Sequence, residues 1–429
     1  MLTAICRYGP RIVPGTRKIV DDCRARGELV QGPDIARFEQ AFAARLGAAG
    51  AVAASYGRMA FLYILRALDF PRGAEVIVPA LTFWVVPEMV RVAGLTPVPA
   101  DVDPRTFNLD PAAFERAITP RTVAVVPTHL YGLPCEMDLI LGIARTYGLK
   151  VIEDCAHALG ARYRGQDVGT FGDAAFFSLQ TLKPLNTYGG GMAVARDPDV
   201  LASIRAAAVA EPWPAELRVA NRLEVGAAQR FFSRPWVFTF TAFPALLTAM
   251  LWKARPDVYL WEKIRPLDPL PEGYRERYTN VQAAIGLASL PYLDRWTACT
   301  RAHARVMDAA LAGLPGVAPP FVPEGAEHVY YQYSVYTPER DLVVRRALRR
   351  ALDVETFHVD VWPSLPHFDE SRPRACLPGA TQAEHVVQIP VYASLGERDT
   401  FRIARTMRRL LSSARQAPAG VRTAGAANS

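Results

Sequence analysis

Between residue 32 and about residue 200, two kinds of hydrophobic pattern take turns along the chain. ARFEQAFAARLG, MAFLYILRAL and DLILGIARTYG carry helical patterns of apolar positions, whereas GAVAAS, AEVIVPA, LKVIED and AAFFSL are short β-rich runs. This alternation predicts an α/β fold with a mostly parallel sheet covered by helices. In such sheets ligands gather beyond the carboxyl ends of the strands, where Ser55, Thr82, His129, Asp154 and Ser178 fall. After Thr279, NVQAAIGLASLPYLDRW leads into a long helix. YYQYSVYT (strand), DLVVRRALRRAL (helix) and EHVVQIPVY (strand) then predict a smaller α/β domain. No internal repeat is apparent.

Composition adds bounds. With 429 residues, half of them hydrophobic, the chain can bury a large core, and two domains sharing a cleft are expected. A formal charge of +7 permits contact with phosphates or an anionic surface, but acids are interspersed with the arginines and no nucleic-acid motif is present, so no nucleic-acid partner is expected. Cys6, Cys23, Cys135, Cys155, Cys299 and Cys376 form no CxxC pair, which disfavours structural zinc and a disulfide framework and fits a reducing compartment. Charges and prolines interrupt the N-terminus before a signal-peptide core can form, so a cytoplasmic location is expected. Residues 413–429 are rich in small residues and are expected to be a disordered tail.

The candidate chemistry lies between Val151 and Val194. Asp154 ends one predicted strand, and Lys183 stands just past another, ahead of Tyr188-Gly189-Gly190-Gly191, where the backbone can turn tightly. Pyridoxal phosphate chemistry needs such a pair: an amine to bond the cofactor aldehyde, and a carboxylate to keep the pyridine nitrogen protonated. Each residue alone also fits a plainer role, a solvated surface lysine or a helix-capping aspartate.

Taken in order, GELVQGPDIARFEQAFAARLG, VIVPALTFWVVPEMVRVAGLTPVPADVDPRTFNLDP, AITPRTVAVVPTHLYGLPCEMD, the Val151–Val194 segment, VQAAIGLASLPYLD, WPSLPHF and QIPVYASL make the chain resemble the DegT/DnrJ/StrS family of pyridoxal-phosphate-dependent sugar aminotransferases. The resemblance implies the aspartate aminotransferase type of fold (fold type I), with a mostly parallel central sheet and a smaller C-terminal α/β domain. It also implies a homodimer, an amino-acid donor, usually glutamate, and a keto-sugar acceptor, mostly nucleotide-linked. Carried over by position, Lys183 is the Schiff-base lysine and Asp154 the partner of the pyridine nitrogen. His157 stands where the family has Gln near the phenolic oxygen, Phe83 stacks on the ring, and Ser178 contacts the phosphate. His367 and Trp362 are expected to border the acceptor pocket. The matching domain plan is an N-terminal arm (1–31), a large cofactor domain (32–222), an insert (223–271), a smaller domain with its connecting helix (272–412) and the tail. A dehydratase of this family would carry His in place of Lys183. A catalytically idle scaffold with the same fold is the reading from a different class.

Three departures stand out. The family's S-G-T phosphate turn is Tyr56-Gly57-Arg58 here; backbone amides at Gly57 can still hold a phosphate, and Arg58 can supply a charge-assisted contact in place of the hydroxyl. Arg275 replaces an Asn that contacts the phosphate from the partner subunit. The insert, finally, contains WVFTFTAFPALLTAMLW, Trp236 to Trp252, uncharged and flanked by Arg230, Arg234, Lys253 and Arg255. As one straight helix at about 1.5 Å per residue it would span about 25 Å, short of the ~30 Å hydrocarbon core. Pro244 is expected to kink it. Tryptophans and bases at its ends suit a membrane interface, so residues 231–255 are expected to be either a monotopic or re-entrant membrane anchor or a helix pair packed in the dimer interface.

Overall fold

The computed structural model describes residues 3–251, 263–356, 359–368 and 377–413. Its first ten strands are Ala51–Ala54 (β1), Glu75–Pro79 (β2), Leu81–Thr82 (β3), Thr96–Ala100 (β4), Thr122–Val125 (β5), Lys150–Asp154 (β6), Arg162–Tyr163 (β7), Gln166–Asp167 (β8), Ala174–Ser178 (β9) and Gly191–Ala195 (β10). Seven of them form the central sheet in the order β1-β10-β9-β6-β5-β2-β4. Neighbours from β9 to β4 pair in parallel, whereas β10 runs antiparallel to both β9 and β1. The start of β10 therefore lies at the same sheet edge as the carboxyl ends of β1, β6 and β9, with Gly191 opposite both Ser178 and Ala54.

The helices needed to place the site are α1 (Thr16–Ala25), α2 (Asp34–Leu46), α3 (Gly57–Ala67) and α4 (Val85–Val92). Strands buried on both sides require cover on both faces. On one face α3 buries Met59 through Leu65 among Val76, Val78, Ile152 and Phe176. On the other, α2 sets Phe38 and Phe42 edge to face, and Phe42 meets Phe177 of β9 with ring centroids 5.1 Å apart. Burial of each such ring contributes roughly 1.5–3 kcal/mol.

Strands Tyr333–Tyr336 and Val386–Ile389 pair antiparallel. With helix Glu397–Ser413 they enclose a separate core that includes Val335, Val387, Ile403 and Met407. Ile5 joins that core, and Arg7 donates to both carboxylate oxygens of Asp353 from 2.6 to 3.0 Å, so the start of the chain is fastened to this C-terminal layer.

The insert is an interrupted run of helices, with a break inside the apolar stretch that was expected to kink. After α5 (Pro111–Ala117), α6 (Met137–Tyr147) and α7 (Pro198–Ala210) come α8 (Glu216–Phe232), α9 (Pro235–Phe240) and α10 (Ala242–Leu251). The break falls at Thr241 (φ −118°, ψ −82°), whose hydroxyl donates to the Val237 carbonyl at 2.6 Å. Pro244 lies in the first turn of α10, and the break falls where its ring would meet the Phe240 carbonyl four residues back, so the interruption expected of Pro244 is found just ahead of it. Among the described residues no helix is long and apolar enough to cross a membrane. Residues 252–262 and the expected tail from residue 414 onward lie outside the described residues.

Candidate active site

A cavity of about 550 Å³ opens where the carboxyl ends of β1, β6 and β9 meet α3, and Lys183, Asp154, His157, Ser178, Phe83, Gly57 and Arg58 all line it. These residues come from four separate stretches of chain, 57–58, 83, 154–157 and 178–183. Parallel strands ending at one sheet edge are what brings them together.

Lys183 sits in the loop from β9 to β10. Its N–H donates to the Gln180 carbonyl at 2.9 Å, Thr187 N–H returns to Leu179 at 3.0 Å, and Tyr278 Oη holds the Thr187 hydroxyl at 2.9 Å. Gly189 and Gly190 close the loop at φ +137° and +107°, conformations that favour glycine. The Lys183 ammonium lies 4.8 Å over the Tyr331 ring. Burial lowers its pKa to about 8; Asp154 opposes that shift and Arg58 adds to it. A lysine so placed exchanges its proton near neutral pH.

Asp154 closes β6, accepting from Ala156 N–H at 3.0 Å and from the Thr128 hydroxyl at 3.4 Å. Burial pushes its pKa up, against the Ala156 N–H and the positive field of Lys183. A cationic group facing it would bring the carboxylate back into its charged form.

Behind Asp154, His129 Nδ1 accepts from Cys135 N–H at 3.0 Å, which places the ring proton on Nε2, 3.0 Å from Glu153. Glu153 also accepts the N–H groups of Gly169, Phe171 and Gly172 at 2.7–2.8 Å. His129, Glu153 and Cys155 lie close enough together to suggest a metal. With both Glu153 oxygens already accepting two hydrogen bonds each, the cluster is better read as a brace for the end of β6.

At the other end of the cavity, α3 begins at Gly57 with no side-chain cap and presents the positive end of its dipole to a ligand, while Met59 and Ala60 N–H donate to the Tyr56 carbonyl at 3.1 Å. The packing there is backbone on backbone. A Cβ on Gly57 would stand 3.1 Å from the Phe177 carbonyl, and one on Gly191 would stand 2.4 Å from Gly57 N and 2.5 Å from Tyr56 C. Gly191→Ala is accordingly expected to destabilise the protein by about 2 kcal/mol, as overpacking does, measured as a lower urea midpoint.

Arg58 donates to Tyr274 Oη at 2.7 Å and lies 4.8 Å from that ring and 6.0 Å from Phe83. His157 stacks on Tyr331, centroids 4.3 Å apart. Arg275 is not brought to this cavity in its own chain; its guanidinium, with 62% of the side chain exposed, pairs with Glu211 at 3.4 Å. His367 and Trp362 do not border the cavity as expected. His367 Nε2 binds Glu88 at 2.8 Å, and Trp362 donates its indole N–H to the Pro79 carbonyl at 2.9 Å, so both polar groups are satisfied within the wall of the fold.

The structure also adds residues that the sequence did not mark. Glu355 is buried in the lining, where Tyr8 Oη and Gln332 Nε2 donate to it, the latter at 3.1 Å. Tyr274 adjoins the Arg275 that drew notice, but nothing in the chain pattern singles out Tyr8, Tyr331 or Glu355.

The residues present fit pyridoxal phosphate. The uncapped start of α3, Arg58 and Ser178 would hold its phosphate, Phe83 and the cavity wall its ring, Asp154 its nitrogen and Lys183 its aldehyde carbon. Losing one charge-assisted contact, Arg58→Ala is expected to weaken cofactor binding at least about tenfold, measured by titrating apoenzyme with pyridoxal phosphate.

Comparison with known proteins gives the family. Residues 11–408 match the DegT/DnrJ/EryC1/StrS aminotransferase family. The chain is 33% identical over 424 residues to GDP-perosamine synthase of Caulobacter vibrioides, covering 96% of this chain and 99% of that one. It is 30% identical to dTDP-3-amino-3,4,6-trideoxy-alpha-D-glucose transaminase of Streptomyces venezuelae, over 89% and 88% of the two chains. Among solved structures, S. venezuelae DesV in complex with a ketimine intermediate superposes with a TM-score of 0.71 at 29% identity, over 94% and 98% of the chains. The chain belongs to the DegT/DnrJ/EryC1/StrS aminotransferase family, and it is a pyridoxal-phosphate-dependent aminotransferase of the α/β fold expected from its sequence.

Proposed function

We propose that this aminotransferase moves the amino group of L-glutamate to the ketone of a nucleotide-linked sugar, in the cytoplasm and as a homodimer. The observation that carries the acceptor class is similarity over nearly the whole of both chains to enzymes named for GDP- and dTDP-linked amino sugars. The homodimer is supported by Arg275, which points away from its own cavity at a position where the family reaches into the partner's site. Free Cys6, Cys23, Cys135, Cys155 and Cys299 suit a reducing compartment. A sugar dehydratase is disfavoured by Lys183, and an idle scaffold by the assembly of Lys183, Asp154, Phe83 and Ser178 around one cavity.

Pyridoxal phosphate, when bound, supplies an aldehyde to take up the amino group and a ring to delocalise the electrons left when a neighbouring C–H bond breaks. The chain does the rest. Lys183 takes the proton from the donor's α-carbon in the first stage and gives one to the acceptor carbon that comes to bear the amine in the second, a task suited to a group with pKa near 8. Asp154, held in place by Ala156 N–H and Thr128, keeps a proton on the ring nitrogen. Phe83, Val85, Val86 and Met89 form an apolar wall that limits water around these transfers.

The test is a two-stage turnover. Glutamate should bleach the visible absorbance of the holoenzyme and release one equivalent of 2-oxoglutarate; a nucleotide-linked keto sugar should restore the absorbance and yield an amino sugar by mass spectrometry. If glutamate reacts and no GDP-, UDP- or dTDP-linked keto sugar does, the acceptor class is wrong while the aminotransferase assignment stands. A membrane-adjacent keto sugar or cyclitol is then the second reading, supported by the apolar insert.

A further inference from the structure

We propose that α8, α9 and α10 form a docking surface for an anionic lipid membrane, bound from one side and not spanned. Phe238 and Phe243 seat this segment on the body of the protein by packing against Ala4 and Leu348. That leaves the opposite side outward, with Phe231 49%, Phe232 48%, Trp236 63% and Phe240 57% exposed. Trp236 and Phe240 stack with centroids 6.0 Å apart, so the outward aromatics form a patch and not scattered single residues. Tryptophan and phenylalanine beside arginine are the residues that a helix lying in a lipid interface presents.

The charge around the patch selects the partner. From Val225 to Pro256 the chain contains no acidic residue. Next to the aromatics, a groove of about 450 Å³ between α1 and α8 has Val20 and Leu223 in its wall and Arg17, Arg24, Arg230 and Arg234 around it, with Glu224 the one acid in the lining. Arg17 and Arg24 have only loose, exposed contacts with Asp21, at 3.8 and 3.6 Å. An apolar groove edged by arginines suits a lipid that is apolar at one end and phosphate-bearing at the other. A second copy of this chain, placed by two-fold symmetry, would bring the same cationic patch against itself. Gln229, one residue before Arg230, lines the catalytic cavity, so docking by this surface would bring the cavity mouth to the membrane. The inference goes beyond the acceptor assignment and does not depend on it.

The experiment is flotation of cofactor-loaded enzyme with vesicles of phosphatidylcholine alone or mixed with phosphatidylglycerol. Wild type is expected to float with the mixed vesicles and at least tenfold less with phosphatidylcholine alone or in raised salt, which screens exposed charges. Trp236→Ser with Phe240→Ser, and separately Arg230→Gln with Arg234→Gln, should each lower flotation at least tenfold while keeping the visible absorbance and the glutamate half-reaction. Absence of flotation with the mixed vesicles overturns the proposal. So does a wild-type level of flotation by the aromatic variant together with a smaller assembly in light scattering, which would assign the patch to a second copy of the chain. If the aromatic variant does not fold, the arginine variant and the lipid dependence still decide.

Discussion

Lys183→Ala should lose amino transfer by at least about a thousandfold, within the range that removal of a general acid–base group produces. The side chain is partly buried, its pKa is lowered to about 8, and it reaches the cavity from a loop pinned by Leu179, Thr187 and Tyr278. Among the described residues no other lysine lines that cavity, and the arginines cannot give up a proton near neutral pH. The variant is also expected to lack the visible absorbance that wild type shows after reconstitution with pyridoxal phosphate. Steady-state rates with glutamate and a keto acceptor, read beside an absorbance spectrum, check both. A coloured variant that retains a tenth of the activity would remove Lys183 from its role.

Why Lys183 and Asp154 were legible in the chain, and Glu355 was not, has a physical basis. A lysine beside a glycine loop and an acid at a strand end are local patterns, and the parallel sheet then carries both to the same edge. Of the helices in the cofactor layer, α2 was legible by one amphipathic stripe, whereas α3, buried from Met59 through Leu65, stood out as a near-continuous apolar run. Glu355 and Tyr8 meet across nearly the full length of the chain, and their approach depends on Ile5 and Arg7 packing against Leu352 and Asp353. No local period encodes such a contact. The insert failed differently. Its composition was read correctly as apolar and its break falls just ahead of Pro244, but the outward side of α9 is set by where Phe238 finds a seat. His367 and Trp362 show the converse error, since conspicuous residues in a recognisable turn turned out to satisfy their polar atoms inside the wall.

Asp154→Asn is expected to lower amino transfer by about a hundredfold or more, the scale on which a buried, preorganised charge acts. The asparagine keeps the Ala156 and Thr128 contacts within reach but carries no charge with which to hold a proton on the ring nitrogen. A second readout separates this role from a structural one. Lys183 can attack the cofactor aldehyde only as the neutral amine, so the rate at which apoenzyme takes up pyridoxal phosphate should fall as pH drops through about 8. Burial, the largest influence, lowers that pKa, Asp154 raises it and Arg58 lowers it. Removing the Asp154 charge leaves burial and Arg58 unopposed by it, so the limb should move to lower pH. Arg58→Ala removes a lowering influence, and its limb should move to higher pH. Stopped-flow absorbance across a pH series on the three apoenzymes measures both shifts. Opposite displacements would show the two charges acting on Lys183 with opposite signs, whereas an unmoved limb in Asp154→Asn would leave Asp154 as a packing residue with no electrostatic hold on the amine.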